Sequence, residues 1–235
     1  MVRVTIYNEF VHEREDESVK KVYPNGIHMT LKEGIEDEEI SVTTVTLDEI
    51  ETLTEQELEK TDVLIWWGHM RHEDVPDEVA KRVRDAVLGG MGAIFLHSSM
   101  HAKPFKLLMG TSCNVGWRED NDRELVWVVD ASHPIANGID RYILIPHEET
   151  YSEPFGIPEP DKTVFIGSFE GGEVFRSGCC WQRENGKVFY FQPGHETLPV
   201  YHQQDILRVI KNAVHWAKPD YRTQLTCPNI KKLEL

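Results

Sequence analysis

The segment Val63-Leu64-Ile65-Trp66-Trp67 is a continuous apolar run, which is typical of a strand covered on both faces in a parallel sheet. A second apolar run, Ala93-Ile94-Phe95-Leu96, follows later in the chain. The stretch between them starts at Pro76, stops at Gly89-Gly90, and carries apolar residues on one helical face (Val79, Val83, Ala86 and Val87). This strand–helix–strand order predicts two parallel strands joined by a right-handed crossover.

The same alternation extends toward the N-terminus, whereas strands dominate the second half. Strands are predicted over residues 2–7 and 40–46, and helices over 16–22, over 27–36 and from Thr54. Later strands are predicted over 125–129, 142–145, 163–167, 179–183 and 187–191, with a hairpin turn at Asn185-Gly186 and a helix over 204–217. We therefore expect one α/β domain over residues 1–235, with a doubly wound, mainly parallel sheet and a C-terminal tail over 219–235.

The chain is strongly acidic, with 40 acidic and 25 basic residues and a formal net charge of −15. This charge argues against nucleic acid and anionic membranes as partners and favours neutral ligands such as sugars, or cations. No stretch reads as a signal peptide or as the roughly 20 apolar residues of a membrane span. Four cysteines without C-x-x-C spacing indicate reduced thiols, so we expect a cytoplasmic protein with no disulfide and no catalytic cysteine.

Polar residues gather where the predicted strands end, which is the edge at which open α/β sheets bind ligands. Seven of the eleven histidines lie in such segments: His12, His69, His72, His97, His101, His147 and His195. The other four, which are His28, His133, His202 and His215, are expected to be structural or solvated. Carboxylates accompany the first group, and Glu149 in particular follows a buried strand and needs a partner or a ligand.

These residues predict a shared pocket formed by His69, His97, His195 and Glu149. Imidazole and carboxylate ligands suit a divalent metal, most readily zinc, with His69, His97 and His195 as ligands and His101 as a substitute. A metal-free acid–base site of the same residues is an equal alternative, because no H-E-x-x-H signature is present. No nucleotide cofactor is expected.

Several segments together resemble the ThuA-like family of bacterial trehalose and related glycoside utilisation. The segments are residues 7–13 (YNEFVHE), 23–28 (YPNGIH), 65–69 (IWWGH), 133–135 (HPI), 148–154 (EETYSEP) and 189–196 (FYFQPGHE). The resemblance implies a flavodoxin-like, class I glutamine amidotransferase-like fold. It also implies a trehalose-related or keto-glycoside substrate.

The resemblance to amidotransferases does not extend to their catalytic residues. Amidotransferases place a nucleophilic cysteine at the turn after a central strand, where this chain has His97-Ser98-Ser99. The later segment, Phe191 to Glu196, keeps a histidine and a glutamate in shifted form. Without a thiol the chain has no nucleophile for glutamine hydrolysis, so we do not expect a glutaminase, and a serine nucleophile stays as a minor alternative.

The sequence thus predicts a sugar hydrolase, lyase or isomerase that uses acid–base chemistry. The catalytic candidates are His97, Glu149, His195 and Glu196, and the substrate-binding candidates are Asn8, Glu9, His12, Trp67, His101 and Tyr151. Trp66 and Trp67 face opposite sides of their strand, so one is expected in the core and the other below a sugar-binding cleft. The alternative is a non-catalytic sugar-binding or regulatory protein, and either form can be a homo-oligomer.

Overall fold

The computed structural model describes residues 1–223 and 228–234, which form seven α-helices and nine strands. The strands are β1 (Val2–Asn8), β2 (Ile40–Thr46), β3 (Val63–Trp67), β4 (Gly92–Leu96), β5 (Gly116–Val128), β6 (Tyr142–Ser152), β7 (Lys162–Phe169), β8 (Val174–Arg183) and β9 (Gly186–Phe191). The α-helices are α1 (His12–Glu15), α2 (Glu17–Val22), α3 (Ile27–Ile35), α4 (Glu55–Lys60), α5 (Asp77–Leu88), α6 (Lys103–Met109) and α7 (Gln204–Ala217). Short 3-10 helices cover Leu47–Thr52, His72–Asp74, His97–His101, Pro134–Ala136 and Val200–His202.

All nine strands form one mixed sheet in the order β2-β1-β3-β4-β9-β8-β7-β5-β6. The pairs from β2 to β9 are parallel, and those from β9 to β6 are antiparallel. The prediction of a mainly parallel sheet is therefore correct for the half from β2 to β9 and wrong for the half from β9 to β6. Within the antiparallel half, short connections join β7 to β8 and β8 to β9, as in the hairpin in which Arg183 pairs with Gly186, and such connections produce antiparallel pairs.

Helices cover both faces of the parallel half. On one face α3 and α7 pack on Ile6, Ile65 and Trp67, and on the other α4, α5 and α6 pack on Leu64 and Trp66. Successive side chains of β3 thus enter opposite cores, as the alternation of a strand requires. Both tryptophans are buried, so Trp67 does not form the floor of an open cleft as expected.

The two strands β5 and β6 are longer than predicted, so the candidate residue Glu149 lies within a strand and not in a loop after one. Strand β6 runs to Ser152, so residues 147–151 lie inside an antiparallel edge strand and do not follow a parallel one. The polar stretch at the start of β5 forms a strand with irregular register, in which Asn121 has a φ of 54°.

Within the described ranges, no helix is long and apolar enough to cross a membrane. Cys113, Cys179 and Cys180 are free and buried, whereas Cys227 lies outside the described residues. The described tail residues up to Thr223 pack on the domain, since Thr223 donates from its backbone to the Gly89 carbonyl.

Candidate functional site

The site lies at the carboxyl ends of β1, β3, β4 and β9, where the antiparallel half supplies one more side chain from β6. His12, His69, His97 and His195 come from the four loops that follow the parallel strands, and Glu149 comes from within β6. The His97 ring lies 6.0 Å from that of His69 and 5.6 Å from that of His195. The structure therefore brings together the four residues expected to share a pocket.

His97 occupies the sharp turn after β4 and is the central residue of the site. Its backbone has a φ of 53°, which a residue with a side chain adopts only when its surroundings hold it there. The buried ring donates from Nδ1 to the Gln192 carbonyl at 3.0 Å. That bond leaves the lone pair of Nε2 directed at Glu149, whose Oε2 lies 3.1 Å away. Neither Nε2 of His97 nor Oε2 of Glu149 has any other partner.

The two serines after His97 are structural. Ser98 donates its hydroxyl to the Gly68 carbonyl at 2.7 Å, and Ser99 donates to the Trp66 carbonyl at 3.0 Å. Ser99 Oγ also accepts the Gly68 N–H at 2.9 Å. Both hydroxyls thus tie the loop after β4 to the loop after β3. The geometry gives the serine-nucleophile alternative no support, because neither hydroxyl faces a base.

The side chain of His195 is held with Nε2 toward a cavity. Its Nδ1 accepts the Thr197 N–H at 3.3 Å, so the neutral ring carries its proton on Nε2. That nitrogen lies 3.9 Å from both Glu196 and Glu119. The cavity beside it has a volume of about 180 Å³ and is lined by Glu119, Asn121, Glu148, Glu149, His195, Thr197 and Leu198. It is small and polar, which suits a compact hydroxylated ligand better than an apolar one.

A second group of residues surrounds Glu196 next to this centre. Glu196 Oε1 lies 3.7 Å from His12 Nε2 and 3.7 Å from His69 Nδ1. The rings of His12 and His69 are 4.8 Å apart. Oε2 of Glu196, Nδ1 of His12 and Nδ1 of His69 are buried and lack hydrogen-bond partners.

Burial keeps the histidines of the site neutral. Loss of hydration lowers the pKa of His69, His97 and His195 to about 4 each. The same burial raises the pKa of Glu149. At neutral pH the three rings are therefore unprotonated, which is the form that binds metals or accepts a proton.

Two sets of three side chains among the described residues have ligand atoms within 4.8 Å of one another. The sets are His69, His97 and Glu149, and His12, His69 and Glu196. His195, which the sequence placed with His69 and His97 as a metal ligand, belongs to neither set, so that role stays a prediction. Glu149 is the residue that completes the set with His69 and His97.

Glu9 and Asn8, two expected substrate contacts, hold the backbone of the site. The Glu9 carboxylate accepts the N–H groups of His69, Met70 and Arg71 at 2.8 to 3.1 Å. The Asn8 amide donates to Glu13 at 2.7 Å and contacts His28 at 2.9 Å. Both residues are almost fully buried, so a direct contact with substrate stays a prediction.

The remaining candidates lie at different distances from the centre. Tyr151 stacks on His97 with ring centroids 5.4 Å apart, and Trp67 lies below His69 and donates to the Gly194 carbonyl at 3.3 Å. His101 pairs with His72, at 6.1 Å between rings, beside the main cluster. His147 is exposed and its Nδ1 contacts the Asn121 carbonyl at 3.1 Å.

Sequence reasoning missed a carboxylate that fixes the geometry of the site. The fully buried Glu148 accepts N–H groups from Glu149, Gly194 and His195 at 2.9 to 3.2 Å. These bonds fasten β6 to the loop after β9. Its neighbour Glu124, from β5, is also fully buried, and burial raises the pKa of both carboxyls, that of Glu148 to about 8.

Comparisons with known proteins agree with this architecture. The model of the ThuA family, described as trehalose utilisation, matches residues 3–217, and no curated protein matches the sequence. A ThuA-like protein from Parabacteroides merdae ATCC 43184 is similar with a TM-score of 0.65 and 13% identity, over 94% of this chain and 92% of that chain. A ThuA-like protein from Bacteroides uniformis ATCC 8492 has a TM-score of 0.63 and 14% identity, over 92% and 90%. A cytoplasmic protein from Salmonella typhimurium has a TM-score of 0.62 and 12% identity, over 94% and 100%. At these identities the structural likeness establishes the mixed α/β fold.

Proposed function

The chain belongs to the ThuA, or trehalose utilisation, family, and from this membership and the geometry of the site we propose that it is an enzyme of carbohydrate metabolism. Its substrate is a trehalose-related sugar or a keto-glycoside, and its reaction is hydrolysis, elimination or isomerisation by histidine and glutamate acid–base chemistry. We further propose that a divalent metal, such as zinc, assists the reaction.

The observation that carries the proposal is the pair formed by His97 and Glu149. A nitrogen lone pair and a carboxylate oxygen face each other at 3.1 Å in a buried place, and neither has another partner. Such a pair needs either one shared proton or one cation, because two unpaired acceptors cost several kcal/mol when buried. The contact from His97 Nδ1 to a carbonyl is the outer bond that metal-binding histidines generally make.

A cation held by His69, His97 and Glu149 would polarise a substrate carbonyl or lower the pKa of a bound water. The residues left for proton transfer are then His195 and Glu196, which do not bind that cation. Neutral His195 presents Nε2–H to the cavity and can donate a hydrogen bond to a substrate carbonyl or leaving oxygen. Glu196 lies next to that nitrogen, and its carboxylate can take a proton from a sugar carbon beside a carbonyl.

The finer description of the fold and the location of the protein are also proposals. The order β2-β1-β3-β4-β9 with helices on both faces supports a flavodoxin-like, doubly wound type for the parallel half. A cytoplasmic location is supported by the buried free thiols and by the related Salmonella protein, which is described as cytoplasmic.

The proposal is tested by offering tag-free protein trehalose and its keto derivatives and following product formation by NMR. We expect Glu149→Gln to lower turnover by a factor of about 100 or more while the affinity for the sugar changes little. Glu159→Gln, at an exposed carboxylate, is the matched control and should keep full turnover. Full turnover in Glu149→Gln would contradict the proposed role, and sugar binding without turnover of any glycoside would favour the non-catalytic alternative.

A further inference from the structure

The end of the sheet that carries the site has more buried negative charge than the protein neutralises. Among the described residues, six carboxylates are buried, namely Glu9, Glu13, Glu124, Glu148, Glu149 and Glu196, whereas no lysine or arginine is buried. Buried carboxylates need hydrogen bonds, protons or cations, because the loss of hydration is otherwise too costly.

Hydrogen bonds account for several of them. Glu9 and Glu148 each accept three backbone N–H groups. Glu13 accepts the Asn8 amide and the Ile27 N–H through Oε1. Glu124 lies within reach of Ser177 and Gln192 and has a raised pKa, so protonation neutralises it.

Hydrogen bonds do not account for Glu149 and Glu196. Burial also raises the pKa of Glu149, so either a proton shared with His97 or a cation is needed there. Each has a buried Oε2 without any hydrogen-bond partner, although each is at least nine-tenths buried. Each also lies in one of the two sets of potential ligands, and the two sets share only His69. The uncompensated charge is thus divided between two positions and is not concentrated at one.

We propose that His12, His69 and Glu196 form a second cation site, which is filled together with the site at His69, His97 and Glu149. This inference rests on the metal-assisted function proposed above. With the second site filled, Glu196 binds a cation through Oε1, and its unpaired Oε2 is the oxygen left for proton transfer. A neutral imidazole has one lone pair, so His69 can bind a cation through each nitrogen only after its ring proton is lost to solvent, which leaves an imidazolate. Nδ1 of His69, which faces Glu196 at 3.7 Å, belongs to the second site. Nε2 of the same ring then serves the first site, so that His69 bridges two cations.

Two cations would satisfy the unpaired atoms on both sides of His69. At the second site the unpaired atom is Nδ1 of His69, which faces Oε1 of Glu196, and His12 faces the same oxygen through Nε2. Nitrogen and oxygen atoms 3.7 Å apart can approach one ion at about 2.0 to 2.2 Å after small side-chain movements.

The test is a count of zinc ions. Tag-free protein is stripped with a chelator, dialysed against zinc, and analysed by mass spectrometry of the metal together with the protein concentration. We expect two zinc ions per chain in the parent, one in His12→Gln, one in His97→Gln and two in the control His215→Gln, whose ring lies on α7 away from the site. Circular dichroism verifies folding, and Glu196→Gln replaces His12→Gln if that variant does not fold.

The outcomes separate this inference from the function on which it rests. No zinc in the parent would overturn the metal-assisted part of the proposed function and the second site with it. One zinc in the parent that is retained in His12→Gln and lost in His97→Gln would overturn the second site alone. One zinc that is lost in both variants would mean a single cation shared by all five side chains, and this too would overturn the second site.

Discussion

Replacing Glu9 with glutamine should destabilise the protein by about 3 kcal/mol, because the Glu9 carboxylate holds the loop that carries His69. Oε2 accepts the N–H groups of His69 and Arg71, and Oε1 accepts that of Met70. A glutamine can keep the two bonds to its carbonyl oxygen, but its NH₂ group would then face the Met70 N–H. Glu9 is only 1% exposed, so water cannot replace the lost acceptor.

The magnitude follows from these three bonds. A hydrogen bond to a charged group contributes about 1.5 to 3 kcal/mol, and this amount is lost for Met70. The two retained bonds become neutral and lose about half their strength, or roughly 1 kcal/mol each. Glutamine is easier to bury than a carboxylate, which returns about 1 to 2 kcal/mol. The net loss of about 3 kcal/mol corresponds to a decrease in Tm of roughly 6 to 12 °C for a chain of this size.

Urea unfolding at pH 7, followed by circular dichroism, measures this loss. Glu38→Gln, at an exposed loop position, is the matched control and should unfold like the parent. A Glu9→Gln protein within about 0.5 kcal/mol of the parent, the range of ordinary surface substitutions, would refute the anchoring role. If such a variant also lost sugar affinity, Glu9 would be a substrate contact, as the sequence suggested.

Two further predictions concern other parts of the same end of the sheet. Burial lowers the pKa of His72 to about 3, so the unfolded chain binds one more proton than the folded chain between pH 6.5 and 3. The parent therefore loses stability between pH 6.5 and 5, and His72→Gln should remove roughly 2 kcal/mol of that loss. Urea unfolding at both pH values measures the effect, and equal losses in parent and variant would contradict it. Gly194 has a φ of 142° and a Cβ there would overlap the Tyr201 hydroxyl, whereas Gly172 has a φ of 98° with open space around it. Gly194→Ala should thus lower Tm much further than Gly172→Ala, and equal melting temperatures would show that the contact with Tyr201 is easily relieved.

The parallel half of the fold was predictable because its information is local. Strands β3 and β4 coincide with apolar runs, and α5 is bounded by Pro76 and Gly89. The early part of β5 escaped prediction because Arg118, Asp120 and Asp122 give it the composition of a loop. Arg118 forms ion pairs with both aspartates and with Glu173, so the strand is stabilised by its neighbours and not by an apolar face.

The histidines of the site and Glu196 were predictable from topology, but the position of Glu149 in a strand and the role of Glu148 were not. His69, His97 and His195 each follow a parallel strand, so their common edge could be inferred from their positions alone. Glu149 was selected on the same argument, yet it lies within an antiparallel strand and reaches the site only through the register of β6 with β5. Glu148 bonds to N–H groups 46 and 47 residues away, and no local pattern reports such a partner.

The position of the site follows from the place where the two halves of the sheet meet. Strand β9 pairs in parallel with β4 and antiparallel with β8, so the loop after it borders both halves. In that loop the Gln192 carbonyl accepts a hydrogen bond from Nδ1 of His97, which belongs to the parallel half. The N–H of Gly194 donates to Glu148, which belongs to the antiparallel half. The parallel half provides histidines at loop ends, and the antiparallel half provides carboxylates from a strand that packs above them. The pair of His97 and Glu149 joins a loop of the parallel half to a strand of the antiparallel half, so it exists only because one sheet contains both kinds of pairing.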